Sequence, residues 1–252
     1  MYWWVDGVYL KARMESDKTC LLVIIGADAS GHKELVGLID GYRENKESWL
    51  ALLRQLRKQG LSHAPHLAIG DGATGFWSAL NEYFPKTVQQ RCWVHKTANI
   101  LAKLPKSKHH QAKRDIHDIY LAETKKDALD AYQKVVDNYR IKFPKAVSCL
   151  TKDEHQLLNF YDFPAEHWRH LRTTNPIEST FATVKHRTKL SKNCCARNTI
   201  IAATFKLMEE AQKRWKKLTA VKRLVQVQQF QKFTDGIHQC EVNKQHQLQQ
   251  AA

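Results

Sequence analysis

Three carboxylates stand where they could do chemistry. Asp6 sits inside the apolar, aromatic run "YWWVDGVYL", Asp71 closes the run "LAIGD" before a Gly-punctuated turn, and Glu178 lies in "TTNPIEST". A carboxylate in or at the end of a buried strand is costly unless something charged meets it. Hard oxygen donors of this kind suit Mg²⁺, or Mn²⁺ in its place, which takes a few carboxylates together with substrate phosphate oxygens. Two such ions about 3.5–4 Å apart activate a water or a 3′-hydroxyl and stabilise the leaving oxygen of an in-line displacement. Each residue also has a plainer reading. "GDGATG" is turn chemistry, Asp6-Gly7 can mark a hairpin, and "NPIE" puts Asn175 at N-cap, Pro176 at N1 and Glu178 at N3 of a capping box.

The elements that would position these residues follow from periodicity. "YWWVDGVYLKARM", "TCLLVIIGAD" and "ELVGLIDGY" read as strands of an antiparallel meander. "KESWLALLRQLRKQG" has helical spacing and ends at Gly60; the strand "HLAIGD", the helix "GFWSALNEYF" and the short strand "TVQQRCWV" follow. The pattern predicts an α/β fold, a mixed sheet with flanking helices. If its first and fourth strands are neighbours, Asp6 and Asp71 converge, and a helix packed over that edge brings in Glu178. From residue 96 to 167 strand signals fade, "HQAKRDIHDIYLAETKKDALDAYQKVVDNYRIKF" is helical in pattern, and the segment reads as an all-helical insertion. "NTIIAATFKLMEEAQKRWKKL" reads as one long amphipathic helix, and "NKQHQLQQAA" as a polar, frayed end. The expected division is therefore 1–95 (first part of the core), 96–167 (insertion), 168–235 (final core helices with Glu178 and a basic face) and 236–252 (polar tail).

Composition narrows the class. The 252 residues are 43% hydrophobic and 26% charged, an ordinary globular balance. The run "LLVIIGA" is far short of the ~18 residues of a membrane span, and no basic-then-apolar leader opens the chain, so no membrane association is expected. Six cysteines without framework spacing, two of them adjacent at Cys194-Cys195, point to reduced thiols and a cytoplasmic setting. The net charge of +15 is uneven: residues 1–91 carry 11 Lys/Arg against 10 Asp/Glu, and residues 92–252 carry 29 against 15. A neutral front and a strongly basic back point to a polyanion, nucleic acid, handled mainly by the second part.

Several motifs extend this reading. Lys185 lies two helical turns after Glu178, on the same face, where it could meet a phosphate, and Arg187 is expected to extend that basic edge. Trp168, Arg169 and Arg172 could stack on and clamp an unpaired base, with a core tryptophan as the alternative. Cys92-x-x-His95 is one pair, and His167-x-x-His170 a conceivable second. A closed zinc site needs four ligands, so the count argues against structural Zn²⁺ and for a packed Cys92 beside a hydrogen-bonded His95.

"WVDGVYLKAR", "IGDGATGFWSAL", "RCWVHKTANIL", "PKAVSCLTKD", "YDFPAEHWRHLRTTNPIESTFATVKHRT" and "ATFKLMEEAQKRW" resemble, in order and from about residue 2 to 217, the Mutator-type transposases of bacterial insertion sequences. The resemblance implies a ribonuclease-H-like catalytic domain with an Asp-Asp-Glu triad on Asp6, Asp71 and Glu178, at separations of 65 and 107 residues, and a helical insertion in the second interval. It implies metal-dependent cleavage of DNA at element ends and strand transfer to a target. The partners would be both DNAs and further copies of the chain, and the setting the bacterial nucleoid. The family's end-recognising region precedes the first catalytic strand, and only five residues precede Asp6 here, so a truncated copy or excised catalytic domain is expected. A ribonuclease-H-like nuclease or resolvase, and a DNA-binding remnant that partners a full-length transposase, are the alternative readings.

Overall fold

The structure, a computed structural model, describes residues 2–10, 19–41, 43–190 and 196–243. Cys194, Cys195 and most of the expected polar tail lie outside the described residues. In chain order the elements begin with Tyr2–Leu10 (β1), Thr19–Ala27 (β2), Lys33–Gly41 (β3), Lys46–Lys58 (α1), Leu67–Gly70 (β4), Thr74–Tyr83 (α2) and Val88–Arg91 (β5). Trp93–Leu101 (α3), His109–Leu121 (α4), Lys125–Tyr139 (α5), Pro144–Thr151 (α6) and Trp168–Leu171 (α7) follow. Asn175–Leu190 (α8), Arg197–Gln212 (α9), Val221–Gln228 (α10) and the hairpin strands Phe233–Thr234 (β6) and Ile237–His238 (β7) complete the order.

The chain forms two compact units, Met1–Gln89 with Thr174–Leu224, and Gln90–Thr173 with Val225–Ala252. In the first, β1, β2 and β3 form the expected antiparallel meander, and β4 runs parallel to β1 on its other side. The five-stranded sheet has the order β3-β2-β1-β4-β5, and the division between units falls within β5. One face carries Trp3, Val5, Leu22, Ile24 and Ala68 and buries Trp49, Leu52 and Leu53 of α1 with Phe76 and Leu80 of α2. Each large side chain buried there contributes about 1.5–3 kcal/mol. Helix α8 lies against β1 and β2, and α9 against β3. No residue of either helix belongs to the Trp3–Trp49 cluster, so they cover the opposite face. Gly37 and Gly70 are small because a Cβ would meet Leu52 (2.9 Å) at the first and Val5 (3.0 Å) at the second.

In the second unit, α3 to α6 pack on one another around Ile100, Ile116, Val135 and Leu150. The helical stretch from 109 is broken in two: Thr124 caps α5 by accepting from the Asp127 N–H. The boundaries differ from the expected 95/96 and 167/168 for visible reasons. The Gln90 amide donates to the Leu157 carbonyl and accepts from the Phe160 N–H, and the Trp93 indole donates to Leu157 (2.9 Å for each bond), which ties residues 90–95 to this unit. Trp168 packs edge-on against Phe160 and Tyr161 and stays with it too. The polar tail does not begin at 236. Asp235 and Gly236 both take positive φ (48° and 73°), as a two-residue hairpin turn requires, and the Gly236 N–H donates to Tyr161.

Asp153 is the shared counter-ion of this unit, accepting from Lys96 (3.0 Å) and Arg91 (3.1 Å), both almost fully buried. Burial alone would raise the Asp153 carboxyl, but the two cations overcome it and hold it below its ordinary value. Asp153→Asn leaves two buried cations without an anion and should cost about 3 kcal/mol in urea unfolding at pH 7. A depressed carboxyl stabilises above its unfolded pKa and loses that contribution as pH falls through the folded one. The gap between wild type and variant should therefore close below about pH 4.

Candidate functional site

The geometry of Asp6 and Asp71 comes from strand register. Tyr2, Trp3 and Trp4 pair with Leu67, Ala68 and Ile69, each 65 positions on. Asp6 and Asp71 share that offset, but the pairing itself ends at Trp4 and Ile69, and Asp71 lies one residue past β4. Alternation puts both on the side of Trp4 and Ile69, away from the Trp3–Val5–Ala68 core. Asp6 is half-buried, aligned with Val23 of β2, and so lies within a strand rather than in a turn. Asp71 does make a turn: its Oδ1 accepts from the Ala73 N–H at 2.8 Å, and Gly72 takes φ 87°. That bond fixes where the carboxylate stands as the chain leaves the sheet.

Glu178 stands on α8, the helix laid over β1 on this same side. The helix starts at Asn175, which makes Thr174 the residue before it and Glu178 the fourth position, not N3. The buried Thr174 hydroxyl donates to the Glu178 Oε1 (2.8 Å). Thr174 was missed from sequence; two threonines before "NPIE" offered the alternative cap. The register and the helix thus bring the three carboxylates to one side of the sheet, but their oxygens do not all lie within 4.8 Å of one another. All three are half-buried carboxylates, hard oxygen donors of the kind Mg²⁺ takes. The Cys20 thiol, in the core cluster on the other face of the sheet, is pushed up to about 11 by burial, against its bond to Tyr9, with Glu44, Asp40 and Asp6 adding to the rise. It stays protonated and is no nucleophile.

The other expected residues divide. Lys185 is exposed, about 20° around the helix from Glu178, on the same face as expected. Arg187 is exposed too, but nine residues on it falls about 180° away, on the far side of α8, and does not extend the Lys185 edge. Trp168 is buried, its indole donating to the Phe163 carbonyl at 2.8 Å, and so belongs to the core rather than to a base-stacking surface. Arg172 lies over the Phe160 and Trp168 rings (4.7 and 5.4 Å), and burial lowers its pKa. Arg169 is exposed beside His170. Cys92 is buried just before α3 and His95 lies one turn on; His167 and His170 do not join them within ligand spacing. The four described cysteines, at 20, 92, 149 and 240, are free thiols.

The sequence profile described as "Transposase, Mutator family" matches residues 1–218. The chain belongs to the Mutator family of transposases. It is 55% identical over 223 residues to the transposase for insertion sequence element IST2 of Acidithiobacillus ferrooxidans, covering 88% of this chain and 75% of that protein. It is 52% identical over 220 residues to the transposase for IS6120 of Mycolicibacterium smegmatis, covering 87% and 68%. With the transposase for IS905 of Lactococcus lactis the identity is 30% over 186 residues, covering 73% and 47%. No described helix is long and apolar enough to cross a membrane.

Since a hydrogen bond to a charged group contributes about 1.5–3 kcal/mol, Thr174→Val should lower stability by that order, while Thr174→Ser should stay near wild type. Thermal and urea unfolding of the two variants check this. A valine variant as stable as the serine one would show that the hydroxyl does not hold Glu178.

Proposed function

We propose that this transposase cleaves DNA phosphodiesters at element ends and joins the freed 3′-hydroxyl to target DNA. In this reading Asp6, Asp71 and Glu178 hold Mg²⁺, or Mn²⁺ in its place, in a ribonuclease-H-like core, with further copies of the chain assembled on the DNA. The observation that carries the reading is the 65-residue offset of the β1–β4 pairing, which Asp6 and Asp71 share, with α8 packed on β1; it supports setting the two carboxylates together. The strand order, three antiparallel strands with a fourth parallel to the first, supports the fold assignment.

Bound divalent metal would supply an activated water or hydroxyl and neutralise charge on the reacting phosphate. The chain's own residues do the positioning. Asp6 is held by pairing on both sides of β1, Asp71 by its bond to Ala73, and Glu178 by Thr174. Lys185 shares the Glu178 face and would meet a phosphate of the bound strand, orienting it for attack; positioning of this kind supplies a large share of rate enhancement.

Asp71→Ala, Asp6→Ala and Glu178→Ala should each reduce Mg²⁺-dependent nicking of supercoiled DNA by at least about a hundredfold, because charge stabilisation is commonly the largest catalytic term. Nicking that survives Asp71→Ala would overturn the assignment. Lys185→Ala should weaken binding to unrelated duplexes alike and make the log–log salt slope shallower by about 0.9, the value of one phosphate contact. An unchanged slope would remove Lys185 from the interface.

A further inference from the structure

Behind α8, on the side away from Glu178, lies a groove of about 370 Å³ between α8 and the end of α9. Its lining includes Trp215, the apolar Val184, Leu207 and Ala211, and the guanidinium-bearing Arg187 and Arg214. Glu210 on the rim is taken by Lys213 at 2.6 Å, and neither arginine forms an ion pair among the described residues. Trp215 is fixed in place: its indole donates to the Thr180 hydroxyl (2.9 Å), which itself donates to the Pro176 carbonyl (3.0 Å). The segment that carries it is stapled to the sheet's β2–β3 edge. Lys33 bonds the Lys216 carbonyl, the Leu218 N–H donates to Gly31, and the Gln212 amide oxygen accepts from the Leu35 N–H. The stretch "KRWKK", residues 213–217, therefore holds one half-buried aromatic between cations, at a fixed depth, over an apolar slot.

We propose that this groove binds one unpaired nucleotide of a DNA strand, with the base against Trp215 and the flanking phosphates on Arg187 and Arg214. This goes beyond the catalytic reading and rests on it only for the identity of the polymer. Charge selects a polyanion, and the fixed aromatic in a narrow slot selects a base free of its partner, since a duplex keeps its base faces stacked inside. Aromatic stacking with cationic tracking of the backbone is the general chemistry of single-strand binding. The groove lies across a helix about 10 Å wide from Glu178. A strand seated there is a second hold on DNA, separate from the carboxylates.

The test is binding of a ten-residue oligo-dT and of a duplex of equal length, in EDTA, so that no cleavage contributes. Arg187→Gln with Arg214→Gln should weaken oligo-dT roughly tenfold and make its salt slope shallower by about 1.4, two single-strand phosphate contacts. Trp215→Leu should weaken it by a similar factor and Trp215→Phe, which keeps a ring, by less than about threefold. Duplex binding should change much less in each variant. Asp71→Asn should bind oligo-dT like wild type while losing Mg²⁺-dependent nicking, so failure of the groove and failure of the catalytic assignment read out separately. Unchanged oligo-dT binding in the arginine pair, equal losses of duplex and single strand, or equal losses for leucine and phenylalanine would overturn the proposal.

Discussion

The parallel pairing of β1 with β4 is the constraint on which the proposed site depends. Its register is enforced by what lies on the two faces of the sheet. A slip of one residue would turn Asp6 into the face occupied by Trp3, Val5 and the apolar sides of α1 and α2, and would turn Trp4 out of its buried place. A carboxylate has no counter-charge in that cluster, so the slip would bury an unpaired charge. The same alternation that buries the tryptophans therefore turns Asp6 to the side of the sheet that α8 covers, where the proposed site would stand. Gly70 lets Trp77 pack close to Val5 at the last β4 position.

The opposite face is completed by α8 and α9, and polar bonds fix them there. Asp40 of β3 accepts both arms of the Arg197 guanidinium at 2.5 and 2.7 Å, a two-pronged pairing that sets orientation as well as position. The bonds from Lys33, Gly31 and Leu35 to residues 212–218 hold the far end of α9 to the same edge. Glu178 thus stands on a helix whose placement is determined by packing on β1 and β2. The helix axis is set by the sheet, and the Thr174 hydroxyl is one hold on the carboxylate.

Much of this arrangement was legible in the sequence because it follows from periodicity. The meander, the α1 and α2 patterns and the change to helices after β5 each have a clear period, and short connections order β1, β2 and β3, whereas the pairing of β4 with β1 is a crossover that periodicity leaves open. Finer features escaped for physical reasons. The break between α4 and α5 rests on the Thr124 cap, a single bond inside a stretch whose apolar spacing is continuous across it. The β6–β7 hairpin is two residues long on each side, too short to show alternation, although Asp235-Gly236 carried the turn signal. Asp6-Gly7, between Val5 and Val8, is the same dipeptide inside a long buried strand, so the dipeptide alone does not decide for a turn. Trp168 could not be assigned from its arginine neighbours, since their charges say nothing about which way its ring faces. Arg187 lies only two residues beyond Lys185, a spacing that does not keep the same helix face. The helical period puts them far apart.

The central claim is that Asp6, Asp71 and Glu178 together hold divalent metal. Electron paramagnetic resonance of Mn²⁺ titrated into the purified chain, with Mg²⁺ as competitor, measures this without relying on DNA or turnover. The account predicts saturable Mn²⁺ sites in the wild type that Mg²⁺ displaces, and loss of at least one of them in each of Asp6→Asn, Asp71→Asn and Glu178→Gln. Full wild-type stoichiometry and affinity in Asp71→Asn would contradict it.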